Sequence, residues 1–418
     1  MSISEGPNRA THTRHQQSTA RRLTRRGSAI AALGLATALL AACSSSSSSP
    51  SAPAAAGSAS VGGTSSASAA SSGAIKVGLV ILSGPIGDNE INMEQGFSLA
   101  EKDIASEKIL GGRTISTDIC EDNVEPSLGS ACTRKLLNDG YKVMILDEAS
   151  PEALADQAIT ERAGVIDILP SQRGVPAGDG KLAFSTGVSG TIEVSDVAPQ
   201  IKSALKPKTV GLLAEDNDFG AAEDQEFKSY FAANGIQVSY NSTFATTATD
   251  FSSQLSNISA AHPDVLIMIG EANQGIAAVK QAKAMGLSSK IVLSSGMTSP
   301  ALITGAGSAL NGDYAWSTLP FPEGTAGTQF YSEYDAAYHT TPPSAISGEA
   351  YTAMMTIAQA MAAAKSTTDV SALQSALSSL TFQSPTGTVK FNSSGQNVGA
   401  STQLWTVENG KFVATPGQ

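Results

Sequence analysis

Charge is scarce in this chain, and positive charge is scarcer. Only 15% of the residues are charged, with 26 Lys and Arg against 37 Asp and Glu. Arg9, Arg14, Arg21, Arg22, Arg25 and Arg26, with the single acid Glu5, precede Cys43, which leaves 20 basic and 36 acidic residues from Cys43 onward, a formal net charge of −16. A domain that acidic argues against nucleic acid as a partner. Histidine is nearly missing, since only His262 and His339 follow Cys43 and neither sits in a motif. There is no G-x-S-x-G elbow, no P-loop and no metal-spaced cluster. Gly305-Ala306-Gly307 lacks a third glycine, and the adjacent acids Asp147-Glu148 and Glu215-Asp216 point apart. The expectation is a chain that is not an enzyme and needs no metal or cofactor. Long apolar runs are absent too. Ala29–Ala42 is broken by Gly34 and Thr37, and nothing later approaches the roughly 18 residues of a spanning helix.

What is present near the start is an address. Arg21, Arg22, Arg25 and Arg26 precede the short apolar run, as in an export signal. Leu39-Leu40-Ala41-Ala42-Cys43 then resembles the bacterial lipobox, in which the cysteine is lipidated and becomes the first mature residue. The expectation is a signal peptide over 1–42 and a lipid on Cys43 that anchors the protein to the extracytoplasmic face of the cell membrane. The polar residues before Arg21 suggest a later translation start, and the Arg pairs leave a twin-arginine route open. Residues 44–73 contain only Ser, Ala, Gly, Pro, Thr and Val. Such a segment has nothing to bury and reads as a disordered tether with a reach of roughly 30 Å.

The other two cysteines, Cys120 and Cys132, remain as a pair in an oxidising compartment, and their spacing fits no zinc pattern. They read as a disulfide or as two buried thiols. From Ala74 on, short apolar runs alternate with amphipathic windows. Strands are expected at 75–82, 114–120, 143–146, 165–169, 209–214, 236–244, 265–269 and 291–293, with helical windows at 93–106, 128–139, 152–163, 221–234, 251–260 and 276–285 between them. This alternation implies α/β architecture with parallel sheets covered on both faces. The pattern restarts at Lys208 after a helical stretch at 195–205, which points to two doubly wound (Rossmann-like) lobes. After Phe321 helices are expected at 329–338, 351–365 and 370–380, then short strands at 387–391 and 403–407, with a hairpin turn at Glu408-Asn409-Gly410-Lys411.

Several local patterns carry a resemblance. Ile75-Lys76-Val77-Gly78-Leu79-Val80 is followed by Ser83-Gly84-Pro85, and Leu213-Ala214-Glu215-Asp216-Asn217-Asp218-Phe219-Gly220 opens the second half. Thr249-Asp250-Phe251-Ser252, Pro263-Asp264-Val265 and Gln281-Ala282-Lys283-Ala284-Met285-Gly286-Leu287 follow, and Thr386-Gly387-Thr388-Val389-Lys390-Phe391-Asn392 lies near the end. In this order they resemble the type I periplasmic binding proteins of the branched-chain amino acid family, the receptors of ABC importers. The resemblance implies two lobes joined by three crossovers, with lobe one at 74–188 and 321–397 and lobe two at 189–320 and 398–418. It further implies a monomer that closes on a small-molecule ligand and delivers it to ABC permease subunits in the membrane. A sensory receptor of the same fold, feeding a signalling partner, is the alternative.

The ligand should lie at the carboxyl ends of the strands, where helix N-termini present free N–H groups. The resemblance implies contacts from Ser83, Ile86 and Gly87, from Ala149 and Ser150 at a helix start, and from Phe219 in lobe two. Ser150 also reads as a plain N-cap, and Phe219 as a core residue. Ser171, Gln172 and Arg173 follow another strand. Arg173 departs from the small residues usual there and could grip a carboxylate. Ser295, which with Gly296 is a further implied contact, departs more, because amino-acid binders carry an acid in this loop to meet the ligand's ammonium. A desolvated ammonium without a carboxylate is costly, so Glu271, beside Ala272, and Glu148 become candidates to compensate. The ligand class stays open between an amino acid, an amide and a carboxylate.

Overall fold

The computed structural model describes residues 73–84, 88–147, 150–170, 181–320 and 324–415. All of these lie within one compact unit that begins at Ala69. The first sheet is built from β1 (Ile75–Ile81), β2 (Ile115–Glu121), β3 (Val143–Asp147), β4 (Ile166–Leu169) and β5 (Ala183–Ser185), all parallel and in the order β2-β1-β3-β4-β5. Between these strands run α1 (Asn89–Ser106), α2 (Pro126–Asn138) and α3 (Ser150–Ala163). The central strands β3 and β4 are buried along their whole length, as near-continuous apolar runs require of a sheet covered on both faces.

The chain then passes into α4 (Gly190–Leu205) and a second winding. Here come β6 (Thr209–Glu215), α5 (Asp218–Ala233), β7 (Gln237–Phe244), α6 (Ser252–Ala261), β8 (Val265–Ile269), α7 (Ala272–Ala284), β9 (Lys290–Leu293), α8 (Pro300–Ala306) and β10 (Tyr314–Ser317). It returns to the first sheet with α9 (Gly324–Tyr338), α10 (Ala345–Ala364), α11 (Val370–Ser379) and the ribbon β11 (Thr381–Ser384) and β12 (Gly387–Lys390). The closing hairpin, β13 (Gln403–Glu408) and β14 (Lys411–Ala414), lies antiparallel on β10 and extends the second sheet, whose order is β14-β13-β10-β9-β8-β6-β7. The parallel part repeats the winding of the first sheet. The architecture is therefore two α/β lobes joined by three passages of the chain.

Each sheet separates two apolar clusters. On the first sheet, α1, α9, α10 and α11 cover one face and α2 with α3 cover the other. On the second, α6, α7 and α8 cover one face and α4 with α5 the other. α1 and α10 pack so closely that a Cβ on Gly96 would lie 2.2 Å from the Ser347 carbonyl oxygen, so glycine is required there. Tyr351 of α10 donates to Asp103 of α1 at 2.8 Å across the same seam. Cys120 and Cys132 form a disulfide that joins the end of β2 to α2, and closing so short a loop stabilises by about 3 kcal/mol in the chain-entropy account.

The first and third passages are tied to each other. Asn397 N donates to Ser185 O at 2.9 Å and Ser185 N to Gly395 O at 2.8 Å. The amides of Gln396 and Asn397 donate to the carbonyls of Gly187 (2.8 Å) and Thr186 (3.1 Å). Most helices start two to six residues before the apolar periodicity does, because their first turns are polar: α1 begins at Asn89 rather than 93, and α7 at Ala272 rather than 276. The short strands β5, β10 and β11 and the helix α8 were not expected from the sequence.

Candidate functional site

The strand order reverses between β1 and β3 in the first sheet and between β6 and β8 in the second, and the carboxyl ends at such a switch point form a natural crevice. At the first, β1 ends at Ile81 and runs into Ser83. Ser83 is buried, its N–H donates to Asp122 Oδ1 at 3.1 Å, and its hydroxyl accepts from Asn123 N at 2.8 Å. Asp122 Oδ1 also accepts from Val124 N at 2.9 Å. This carboxylate thus clamps the loop after β2, in which Asn123 and Val124 both adopt φ of 56°, a left-handed conformation that is strained for a β-branched residue. Burial pushes the Asp122 carboxyl up to about 6, against the pull of the Val124 and Ser83 N–H groups. Glu152 in the first turn of α3 is also raised, first by burial and then by the fields of Asp122, Asp156 and Asp218. Asp218 opens α5 in the second lobe, so the two helix starts face one another.

At the second switch point, Ser294 joins the ends of β8 and β9. Its hydroxyl accepts from Gly270 N at 3.1 Å and donates to Gly270 O at 2.9 Å. The chain then turns through a 3-10 segment at Ser295–Met297. A Cβ on Gly296 would lie 2.7 Å from Gly270 O and 3.2 Å from both carboxylate oxygens of Glu271. Only glycine lets this turn rest on Glu271. Glu271 precedes α7, and its N–H donates to Gln274 Oε1 at 2.7 Å. Gln274 Nε2 in turn donates to Glu215 Oε1 (3.0 Å) and Thr246 O (2.6 Å), which locks the start of α7 to the end of β6.

One hydrogen bond crosses between the lobes here. Asn89, the first residue of α1, donates from Nδ2 to Glu271 Oε2 at 2.9 Å. α10 of the first lobe also comes alongside the turn at Ser295–Met297. Asn89 and Ser295 are buried, and among the described residues Asn89 Oδ1 and Ser295 Oγ have no hydrogen-bond partner. Buried polar atoms of this kind are normally satisfied, so two of them beside a carboxylate mark a place suited to a polar guest.

Of the residues expected at the site, Glu271, Ala272, Ser295 and Gly296 lie together at the second switch point. Ser83 lies at the first, with its hydroxyl used inside its own lobe. Phe219 sits in the first turn of α5, and its ring joins the apolar cluster of α4 and α5. Ser150 begins α3. Ile86, Gly87, Glu148, Ala149, Ser171, Gln172, Arg173 and Cys43 lie outside the described residues. Asn89 and Asp122 were missed. The pair Asp88-Asn89 at a helix start was the available signal for Asn89, whereas a lone acid after Cys120 gave none for Asp122.

No helix among the described residues is long and apolar enough to cross a membrane, and no cluster of His, Cys, Asp and Glu among them could hold a metal ion. The leucine-, isoleucine-, valine-, threonine- and alanine-binding protein of Pseudomonas aeruginosa is 24% identical over 316 residues, 75% of this chain and 84% of the relative. The Leu/Ile/Val-binding protein BraC3 of Rhizobium johnstonii is 23% identical over 350 residues, 81% of this chain and 93% of the relative. These relatives are binding proteins, not enzymes. The fold matches a leucine binding protein from Thermotoga maritima with a TM-score of 0.74 at 19% identity, covering 81% of this chain and 97% of that one. It also matches a solute binding protein of an ABC transporter from R. palustris in complex with benzoate, with a TM-score of 0.73 at 23% identity, covering 82% and 95%. A sequence profile described as periplasmic binding protein matches residues 74–411. With its two lobes and three passages, the chain belongs to the type I periplasmic binding proteins of the branched-chain amino acid family.

Proposed function

We propose that this protein is the extracytoplasmic substrate-binding lipoprotein of an ABC importer, anchored through Cys43 and holding one small polar metabolite between its lobes. Lobe one then comprises 74–188 and 321–397 and lobe two 189–320 and 398–418, turning on each other near 188, 320 and 397 as ligand shifts the closed population. The bonds from Gln396 and Asn397 to Gly187 and Thr186 support two of those positions as a paired hinge. The reading rests chiefly on the Asn89–Glu271 hydrogen bond, which joins the lobes at the carboxyl ends of both sheets.

The ligand is an amino acid, an amide or a carboxylate. Ser83, Ile86, Gly87, Ala149, Ser150 and Ser171–Arg173 offer hydroxyls, helix N–H groups and a cation from lobe one. Phe219, Ala272, Ser295 and Gly296 complete the cleft from lobe two. Glu271 supplies the acid that Ser295 lacks, because its carboxylate rests against Gly296. The named relatives bind leucine, isoleucine and valine, one of them also threonine and alanine, and the R. palustris protein binds benzoate, a carboxylate without an ammonium group.

A thermal-shift screen of amino acids, amides and short carboxylates tests this reading. A ligand at about a hundred times its Kd stabilises by roughly 2.7 kcal/mol, a rise of several degrees. If the ligand carries an ammonium group, Glu271→Gln should weaken binding at least about tenfold. No stabilisation by any small polar metabolite would sink the reading.

A further inference from the structure

The edge of the first sheet opposite the cleft, roughly 20 Å away at about 3.3 Å per strand residue, carries positive charge that the binding function leaves unused. Two grooves of about 430 and 250 Å³ meet there, sharing Ile75, Arg113, Thr367 and Thr368 in their walls. Lys365 lines the first groove, and Lys76 and Lys142 line the second. The only acid in either wall is Asp139, which is paired with Lys135 at 3.1 Å. Among the described residues none of these four cations forms an ion pair. Lys76 lies over the Tyr141 ring, 5.6 Å from its centroid, and Arg113 Nε reaches Gly73 O at 3.4 Å. Beside them Ile109 and Leu110 are half-buried and lead into Gly111 and Gly112 (φ 65° and 87°), where a Cβ would meet no atom within 4 Å. The loop tip is therefore open to its surroundings.

Four cations against Asp139 and the exposed Asp118, which accepts from the Tyr141 hydroxyl, still stand out in a chain that carries 20 basic and 36 acidic residues from Cys43 on. Most of its surface is repelled by an anionic membrane, and this face is attracted. It is also where the described chain enters, at Gly73, thirty residues after Cys43. We propose that this face seats on an anionic phospholipid surface, its headgroup phosphates held by Lys76, Arg113, Lys142 and Lys365, with Ile109–Gly112 at the headgroup boundary. The inference rests on the anchored reading of Cys43 for how the protein reaches the membrane, and the lipid and the basic face then act as two signals. Seated in this way, the receptor holds its cleft away from the bilayer and open to incoming solute, and it must lift off to reach a permease.

The test is amine labelling of the membrane-purified protein on vesicles of phosphatidylcholine alone or mixed with phosphatidylglycerol, read by peptide mass spectrometry. On the mixed vesicles at low salt, Lys76, Lys142 and Lys365 should label about fivefold more slowly, while Lys228 and Lys411 of the second lobe do not change. High salt should remove the protection. Lys142→Glu combined with Lys365→Gln, which places no anion at the C-terminus of α10, should abolish it at Lys76 with little change in the melting temperature. Equal labelling on both vesicle types, protection that survives the double substitution, or equal protection by inorganic phosphate without vesicles would each overturn the proposal. Sedimentation with phosphatidylcholine vesicles reads the anchor separately. If that sedimentation fails, the anchored reading falls while the dependence on phosphatidylglycerol still decides the basic face.

Discussion

The two lobes wind their parallel strands in the same order but fasten them by different chemistry. In the first, a buried carboxylate, Asp122, gathers the ends of β1 and β2, and a disulfide lies just beyond it. In the second, a neutral hydroxyl, Ser294, fastens a different pair, the ends of β8 and β9. The contrast extends to the titratable groups. Burial raises Asp103 and Asp122 to about 6 and Asp167 to about 7, all in the first lobe. In the second lobe burial also raises Asp196 and Asp313, against the pull of the Thr402 N–H and the Lys283 ammonium, while Asp264 lies near the surface, where the N–H groups of Thr209 and Lys208 hold it below the usual carboxylate range. One topology therefore tolerates different partners for its buried acids: Asp313 of the second lobe meets the Lys283 ammonium at 2.7 Å, whereas Asp122 of the first meets only N–H groups, so solvent conditions should act on the lobes unequally.

Three experiments probe that inequality. The largest effect is expected for Gly96→Ala, which drives a Cβ against the Ser347 backbone and should cost about 3 kcal/mol or more in denaturant unfolding. By contrast, Gly275→Ala in α7 of the second lobe meets the flexible Met297 sulfur at 3.0 Å and should cost only about 1 kcal/mol. Equal losses would mean that the seam between α1 and α10 yields as readily as the Met297 side chain. Next, Cys120→Ser with Cys132→Ser should remove about 2–3 kcal/mol and let the first lobe melt ahead of the second, visible as a split calorimetric transition. A single transition of unchanged midpoint would contradict this.

The smallest effect is the pH response. Asp103, Asp122 and Asp167 have folded pKa values above their unfolded ones, so the native state binds the extra protons. Stability should fall as pH rises from about 4 through about 6 to 7. The melting temperature should thus be a few degrees higher near pH 5 than near pH 8, and Asp122→Asn should flatten part of that slope. Asp264 runs the other way: its folded pKa is depressed, so its contribution is present above the unfolded value and lost as pH falls through the folded one. Asp264→Asn should leave the response above pH 5 unchanged.

Strands such as Val265–Ile269 were legible in the sequence to the residue, because a strand buried on both faces must be apolar throughout. The disulfide was legible as one of two alternatives, from compartment and cysteine count. The first turns of the helices were not legible, since apolar periodicity begins only where a helix meets the core. Asn89 falls in that blind stretch, whereas Glu271 and Ala272, at the same kind of helix start, were reached through the family resemblance and not through periodicity. In this fold the polar helix starts border the cleft, so the pattern that reveals architecture fades where the site begins. β5 and β10 were missed because Ala183–Ser185 and Tyr314–Ser317 are too short to display a period.

The paired passages at Ser185–Gly187 and Gly395–Asn397 also bear on the order of assembly. The first lobe waits for α9, α10, α11 and β12, which follow the whole parallel winding of the second. The second lobe in turn waits for β13 and β14, which follow that return. Neither lobe can be finished before the chain has passed through both. In a family that works outside the cytoplasm, this interleaving keeps the growing polypeptide pliable until both windings have been made.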